Sequence, residues 1–179
     1  GRIDLLINNA GYGLIAPTMD MEPEAIAHQL QTNVTGGIMM IQEVAPLMKA
    51  QGRGTIVNVG SISGLAPTPF SGAYCATKAA IHAWSDVLRM ELKPFRIKVI
   101  TLQPGGILTD FGINCVRTVD ATLKSVSWYS SVAAFIYARA NTSQEKATSV
   151  ETFVKGALRK ILRKNPAVII KSGTRSFTL

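Results

Sequence analysis

Four short apolar runs, separated by longer stretches of helical periodicity, leave this chain few folds to choose from. Residues 3–8, 55–60, 97–103 and 167–171 are rich in Ile, Val and Leu, and β-branched side chains suit the pleated, buried surface of a sheet. Strands that alternate with helices form βαβ units, which build a parallel sheet. Right-handed crossovers then place helices on both of its faces. The fold class expected is α/β, a doubly wound parallel sheet in one domain over residues 1–179. With 47% of its residues hydrophobic, the chain can bury a substantial core.

Met21, Glu22, Pro23 and Glu24 open the first helix, with proline and acidic residues where a helix N-terminus favours them. Asn33, followed by Gly36 and Gly37, interrupts the helical pattern and predicts a local distortion. Helical spacing then resumes through Ile38, Ile41, Val44 and Met48. Residues 105–146 mix weak helical signals with scattered aromatics, and read as a long irregular segment on the substrate side. Residues 150–164 form an amphipathic helix. Val154, Leu158, Ile161 and Leu162 are its expected buried stripe, with Lys155, Arg159, Lys160, Arg163 and Lys164 outward. His28 and His82 lie in helical stretches without evident partners, and read as packing or surface residues.

The chemistry concentrates in residues 61–78. Ser61 follows a strand directly, and open α/β sheets bind ligands at the carboxyl ends of their strands. Tyr74 and Lys78 stand four apart in the first turns of a predicted helix that runs to about Glu91, hence on one face. A hydroxyl, a phenol and an ammonium on one rim suit carbonyl reduction. Ser61 can donate a hydrogen bond to the carbonyl oxygen, and Tyr74 can supply the proton. A free phenol ionises near pH ~10, and a cation such as Lys78 one turn away favours the phenolate. The plainer alternative is a surface tyrosine and lysine with a serine in a nearby loop. Tyr74 is the only one of the four tyrosines with a lysine four residues after it.

Residues 1–116 balance eight Lys/Arg against eight Asp/Glu, whereas residues 117–179 carry eleven against three, the source of the whole net charge of +8. An anionic partner for the last third follows as an expectation. The plain reading of the basic helix is a solvated face; the sharper one is attraction to an anionic membrane surface or a phosphate-bearing substrate. Nucleic acid is not expected, since no binding motif or interleaved aromatics accompany the charge. Cys75 and Cys115 read as free packing thiols, with no metal site.

Taken in order, Asn8-Asn9-Ala10-Gly11, Asn33, Ser61, Tyr74 with Lys78, and Pro104-Gly105 resemble the short-chain dehydrogenase/reductase family. The resemblance implies the C-terminal part of a Rossmann-type sheet and a Ser-Tyr-Lys oxidoreductase with a nicotinamide cofactor. Asn33, Ser61, Tyr74 and Lys78 would be catalytic, Asn33 completing a proton relay through water and Lys78. Asn8, Asn9, Ala10, Gly11, Tyr74, Lys78, Pro104, Gly105, Ile107 and Thr109 would bind the cofactor. Lys78-Ala79-Ala80-Ile81-His82, Glu91-Leu92-Lys93-Pro94-Phe95 and Leu162-Arg163-Lys164-Asn165-Pro166 are similar to the NADPH-dependent 1-acyldihydroxyacetone-phosphate reductases. That likeness implies NADP, with NAD not excluded, and a lipid substrate. It also implies a place on the cytoplasmic side, at the endoplasmic reticulum or lipid-droplet surface, with self-association of the full-length protein. Steroid or retinol dehydrogenases share some of these motifs, and a non-catalytic Rossmann-like binding protein is the competing class. The family's Gly-rich turn after its first strand is absent from these residues, so the chain reads as a fragment whose first half-sheet lies upstream.

Overall fold

Four parallel strands lie side by side in the order β1 (Leu5–Asn8), β2 (Gly54–Val59), β3 (Ile97–Pro104) and β4 (Ile169–Ser172). The register pairs Leu6 with Ile56, Val57 with Ile100, and Leu102 with Ile170. The computed structural model describes residues 1–123 and 127–176. The helices are α1 (Pro23–Leu30), α2 (Gly36–Ala50), α3 (Gly72–Leu92), α4 (Phe111–Thr122), α5 (Ala133–Asn141) and α6 (Val150–Ile161).

Strand alternation sorts the core into two layers, because successive side chains point to opposite faces. Ile56, Ile97 and Val99 pack on one face against Ile41, Val44 and Met48 of α2 and Leu88 of α3. Val57, Ile100, Leu102 and Ile170 pack on the other against Ala157 and Ile161 of α6. Each such aliphatic side chain contributes about 1.5–3 kcal/mol when fully buried. The result is an α/β Rossmann-like sheet with helices on both faces. β1 pairs only with β2 among the described residues, and Ile7 on it is 42% exposed.

Two expectations need correction. The buried stripe of α6 is Phe153, Ala157 and Ile161, while Val154 is exposed and Leu162 is 68% exposed. The helix stops at Ile161, so Leu162 falls outside its last turn, and the small Ala157 lets α6 approach the sheet more closely than a leucine stripe would. Residues 105–146 are not irregular over their described length. α4 and α5 pack together through Cys115, Val119, Ile136 and Ala140 against Ile15, a satellite core of their own. Their apolar residues are mostly small or aromatic, which blurs the helical period in the sequence. Residues 124–126 lie outside the described residues.

Candidate active site

The site is assembled where β2 ends and α3 begins. Past Val59 the chain turns through Gly60 to Ser61, whose Oγ accepts the Ser63 N–H at 3.1 Å and caps a short 3-10 turn. Phe70 precedes α3 with φ at 61°, a left-handed conformation that costs a non-glycine residue of order 1 kcal/mol. Its ring is held edge-on by Tyr129 and Phe135. That packing keeps the reversal in place and starts α3 two residues later, with Tyr74 in its first turn.

Lys78, one turn further on, is buried and donates from Nζ to the Val59 carbonyl at 2.8 Å. Its ammonium stands 5.7 Å from the centre of the Tyr74 ring. Burial brings Lys78 down to about 8. Burial likewise pushes the Tyr74 phenol up to about 12, opposed by a hydrogen bond from Ser61 and by the charge of Arg139. Arg139 of α5 thus joins Lys78 as a second cation near the phenol, one the sequence did not point to. The phenol is neutral at pH 7, the state in which it can give up a proton.

Asn33 sits in a π-helical turn, Gln31–Thr35, that joins α1 to α2. Its Oδ1 accepts the Tyr12 N–H at 3.0 Å, and its Nδ2 donates to the Tyr12 carbonyl and to Thr77 Oγ1. Both ends of the amide are thus engaged in tying the 10–13 loop to α3. A Cβ on Gly11 would stand 3.1 Å from Asn33 Oδ1 and 3.8 Å from Lys78 Nζ. Glycine keeps the backbone close to the ammonium here.

The other expected cofactor residues are spread around this centre. Asn8 Nδ2 donates to Asn58 Oδ1 and the Gly37 carbonyl, bracing β1 and β2. Asn9 and Ala10 are exposed. Pro104 ends β3, and the Gly105 N–H donates to the Ser172 carbonyl. Ile107 bridges to Thr148. The Thr109 hydroxyl accepts the Phe111 N–H at the start of α4.

Four contacts around the site were missed in the sequence. Phe111 lies 5.4 Å from the Tyr74 ring, centre to centre, and closes over Gly13. Arg139 reaches from α5 to the hydroxyls of Thr68 and Ser71, just ahead of α3. His82 accepts the Ser61 backbone N–H, and His28 meets the Tyr12 hydroxyl at 2.9 Å, so neither histidine lacks a partner. Their signal was positional: His82 follows Lys78 by one helical turn. Among the described residues, no cluster of three His, Cys, Asp or Glu is placed to hold a metal ion.

The family model described as short chain dehydrogenase matches residues 1–120. The chain belongs to the short-chain dehydrogenase family. This short-chain dehydrogenase is 33% identical over 175 residues to the NADPH-dependent 1-acyldihydroxyacetone phosphate reductase of Saccharomyces cerevisiae, covering 97% of the chain and 57% of that protein. It is 40% identical over 114 residues to the 3-ketodihydrosphingosine reductase of Bacteroides thetaiotaomicron, covering 64% of the chain and 42% of that protein. Among solved structures, NAD+-bound xylitol dehydrogenase superposes with a TM-score of 0.74 at 29% identity, over 95% of this chain and 67% of that one. A serine dehydrogenase complexed with NADP+ shares the fold, with a TM-score of 0.78 at 24% identity over 96% and 65%. The chain thus spans little more than half the length of the yeast reductase.

Proposed function

We propose that this chain carries the catalytic part of an NADP(H)-dependent reductase acting on the ketone of a lipid-type substrate such as acyldihydroxyacetone phosphate. The same site would oxidise the corresponding secondary alcohol in reverse. The supporting observation is the meeting of Ser61, Tyr74 and Lys78 at the end of β2, with Ser61 near enough to act on the Tyr74 phenol, and Lys78 Nζ anchored on Val59 at 5.7 Å from the centre of the Tyr74 ring. The reduced nicotinamide, when bound, supplies the hydride that converts the carbonyl carbon to a carbinol carbon.

The protein's part is to receive the charge that collects on oxygen. Ser61 donates a hydrogen bond to that oxygen as it becomes an alkoxide, an interaction stronger in the transition state than with the ketone. Tyr74 transfers its proton to the same oxygen and is left a phenolate. Lys78 and Arg139 both oppose the build-up of negative charge on the ring. Phe111 packs against the Tyr74 ring and forms part of the apolar wall beside the phenol.

The residues present suit a nicotinamide nucleoside, because Gly11 keeps the 8–11 loop open beside Lys78. Tyr74 and Lys78 would hold its ribose, Asn8, Asn9, Ala10 and Gly11 would line the cleft, and Pro104, Gly105, Ile107 and Thr109 would border the ring. Asn33 serves this arrangement by holding the loop, and any proton relay to water passes along it and Lys78. The preference for NADP draws support from the yeast relative's NADPH requirement, and the lipid ketone from the substrates named for both relatives.

The basic face of α6 fits contact with an anionic lipid surface, on the cytoplasmic side of the endoplasmic reticulum or of lipid droplets. Among the described residues no helix is long and apolar enough to cross a membrane.

In the full-length protein, Tyr74→Phe is expected to lower kcat for acyldihydroxyacetone phosphate about 10²–10⁴-fold while NADPH still binds. Loss of NADPH absorbance measures the first and fluorescence titration the second, with NADH run in parallel. Turnover retained in the variant would remove the phenol as acid. A wild type that ignores this ketone but reduces a steroid would move the substrate class.

A further inference from the structure

A half-buried imidazole takes no part in the reaction above, yet it touches the residue assigned to the carbonyl oxygen. His82 follows Lys78 by one turn of α3, so both side chains point toward the end of β2. Its ring lies within the 60–64 loop. A Cβ on Gly60 would fall 2.2 Å from His82 Nε2, and one on Gly64 would fall 2.7 Å from its Cε1. Glycine at both positions lets the loop close on the ring. The Ser61 backbone N–H then donates to His82 Nε2 at 3.3 Å, fixing the main chain from which the serine hydroxyl projects.

The bond dictates the charge on the ring. A ring nitrogen accepts only when it carries no proton, so the contact requires a neutral imidazole protonated at Nδ1. Nδ1 is buried and has no hydrogen-bond partner. An imidazolium would set Nε2–H against the Ser61 N–H, donor against donor. Burial and the nearby Lys78 both oppose that charge, and Asp86 favours it. Both charged groups lie on α3. The 60–64 loop, Gly-Ser-Ile-Ser-Gly, carries no charged side chain, and β3 brings the Leu102 carbonyl close to Gly60 rather than a charge.

We propose that His82 is a positioning residue: as a neutral acceptor it fixes Ser61 beside Tyr74, and its protonation on acidification releases Ser61 and stops turnover while cofactor binding persists. The inference rests on the carbonyl-reducing reading of the site. It differs from plain packing in predicting a dependence on the acceptor atom as well as on ring volume.

The test uses the full-length protein with two variants, His82→Phe, which keeps the volume, and His82→Gln, which returns an uncharged acceptor near the Nε2 position. His82→Phe is expected to lower kcat about 10–100-fold with little change in NADPH affinity, and His82→Gln to stay within about threefold of wild type. The acid limb of the kcat–pH profile, present in wild type below about pH 6.5, should vanish in His82→Gln. Wild-type kcat in a folded His82→Phe, or an acid limb that survives in His82→Gln, overturns the proposal. Should His82→Phe fail to fold, the pH profile of His82→Gln decides. If the wild type reduces no ketone at all, the functional reading has failed by itself. The contact is then read separately from the Ser61 amide NMR shift, which should titrate with pH in wild type and not in His82→Gln; a Ser61 amide insensitive to pH in wild type overturns it.

Discussion

The inner face of α3 and the outer face of α6 both present lysine, in opposite surroundings. Lys78 is 5% exposed, donates to one backbone carbonyl, and is pulled by burial to about 8. Lys155, Arg159, Arg163 and Lys164 stand in solvent, where a charge interacts through water and is screened within about 8–10 Å at physiological salt. One buried ammonium does local chemistry, whereas a row of exposed ones makes a field. Lys160 lies between the two cases, on the basic helix but partly buried, with Nζ donating to the Lys171 carbonyl at 3.0 Å. The location of a charge, more than the number of charges, decides what it does.

Replacing Lys78 with methionine should have the largest effect on this contrast, lowering kcat about 10²–10³-fold in a ketone-reduction assay. The same change carries a pH signature. Because the folded protein holds Lys78 below its ordinary value, the unfolded chain binds more protons between pH ~8 and ~10.5, and Lys78 makes wild type relatively more stable as pH rises through that window. Denaturant titrations of both proteins should show the wild type gaining on Lys78→Met from pH ~8 upward. A constant difference would mean that Lys78 is not buried as a charge.

The exposed cations should respond to salt instead. Binding of the protein to vesicles rich in phosphatidylserine should fall about tenfold or more between low and physiological ionic strength, and a Lys155→Glu, Arg159→Glu double variant should abolish it. Kinetics with a water-soluble ketone should be unchanged in that variant. Salt-insensitive binding, or none, would leave α6 as a solvated face.

Lys160 sharpens the comparison with the smallest effect. Lys160→Met should cost about 0.5–1.5 kcal/mol through its lost bond to Lys171, and Lys155→Met less than about 0.5 kcal/mol. Equal costs in thermal unfolding would erase the distinction between the two positions.

The strands were readable because short apolar runs rich in Ile, Val and Leu, set between helical stretches, mark the strands of a sheet buried on both faces, and the Gly36–Gly37 pair marked the helix distortion. The grouping of Ser61, Tyr74 and Lys78 was readable because it depends on a strand end and one helical turn. Partners that depend on register between elements were not. The stripe of α6 shifted to Phe153, Ala157 and Ile161 because the sheet accepts a small residue at its centre, which hydrophobicity alone does not encode. Arg139 lies 65 residues from Tyr74 in the chain, and only the packing of α5 on α4 brings it near. His82 was one turn from a residue already singled out, but its acceptor role requires the folded 60–64 loop.

The π turn at Gln31–Thr35 gives this protein an unequal tolerance for changes in length. Such a turn holds one residue more than a regular helical turn, and each residue advances a helix by about 100°. Removing one residue here would let α1 and α2 merge into a single uninterrupted helix, with no hydrogen bond lost along its axis. Asn33 would then swing away from Tyr12 and Thr77, and the 10–13 loop would lose its tie to α3. A deletion that regularises the helix would thus undo the site, so chain length is under tighter control at this turn than any individual side chain around it.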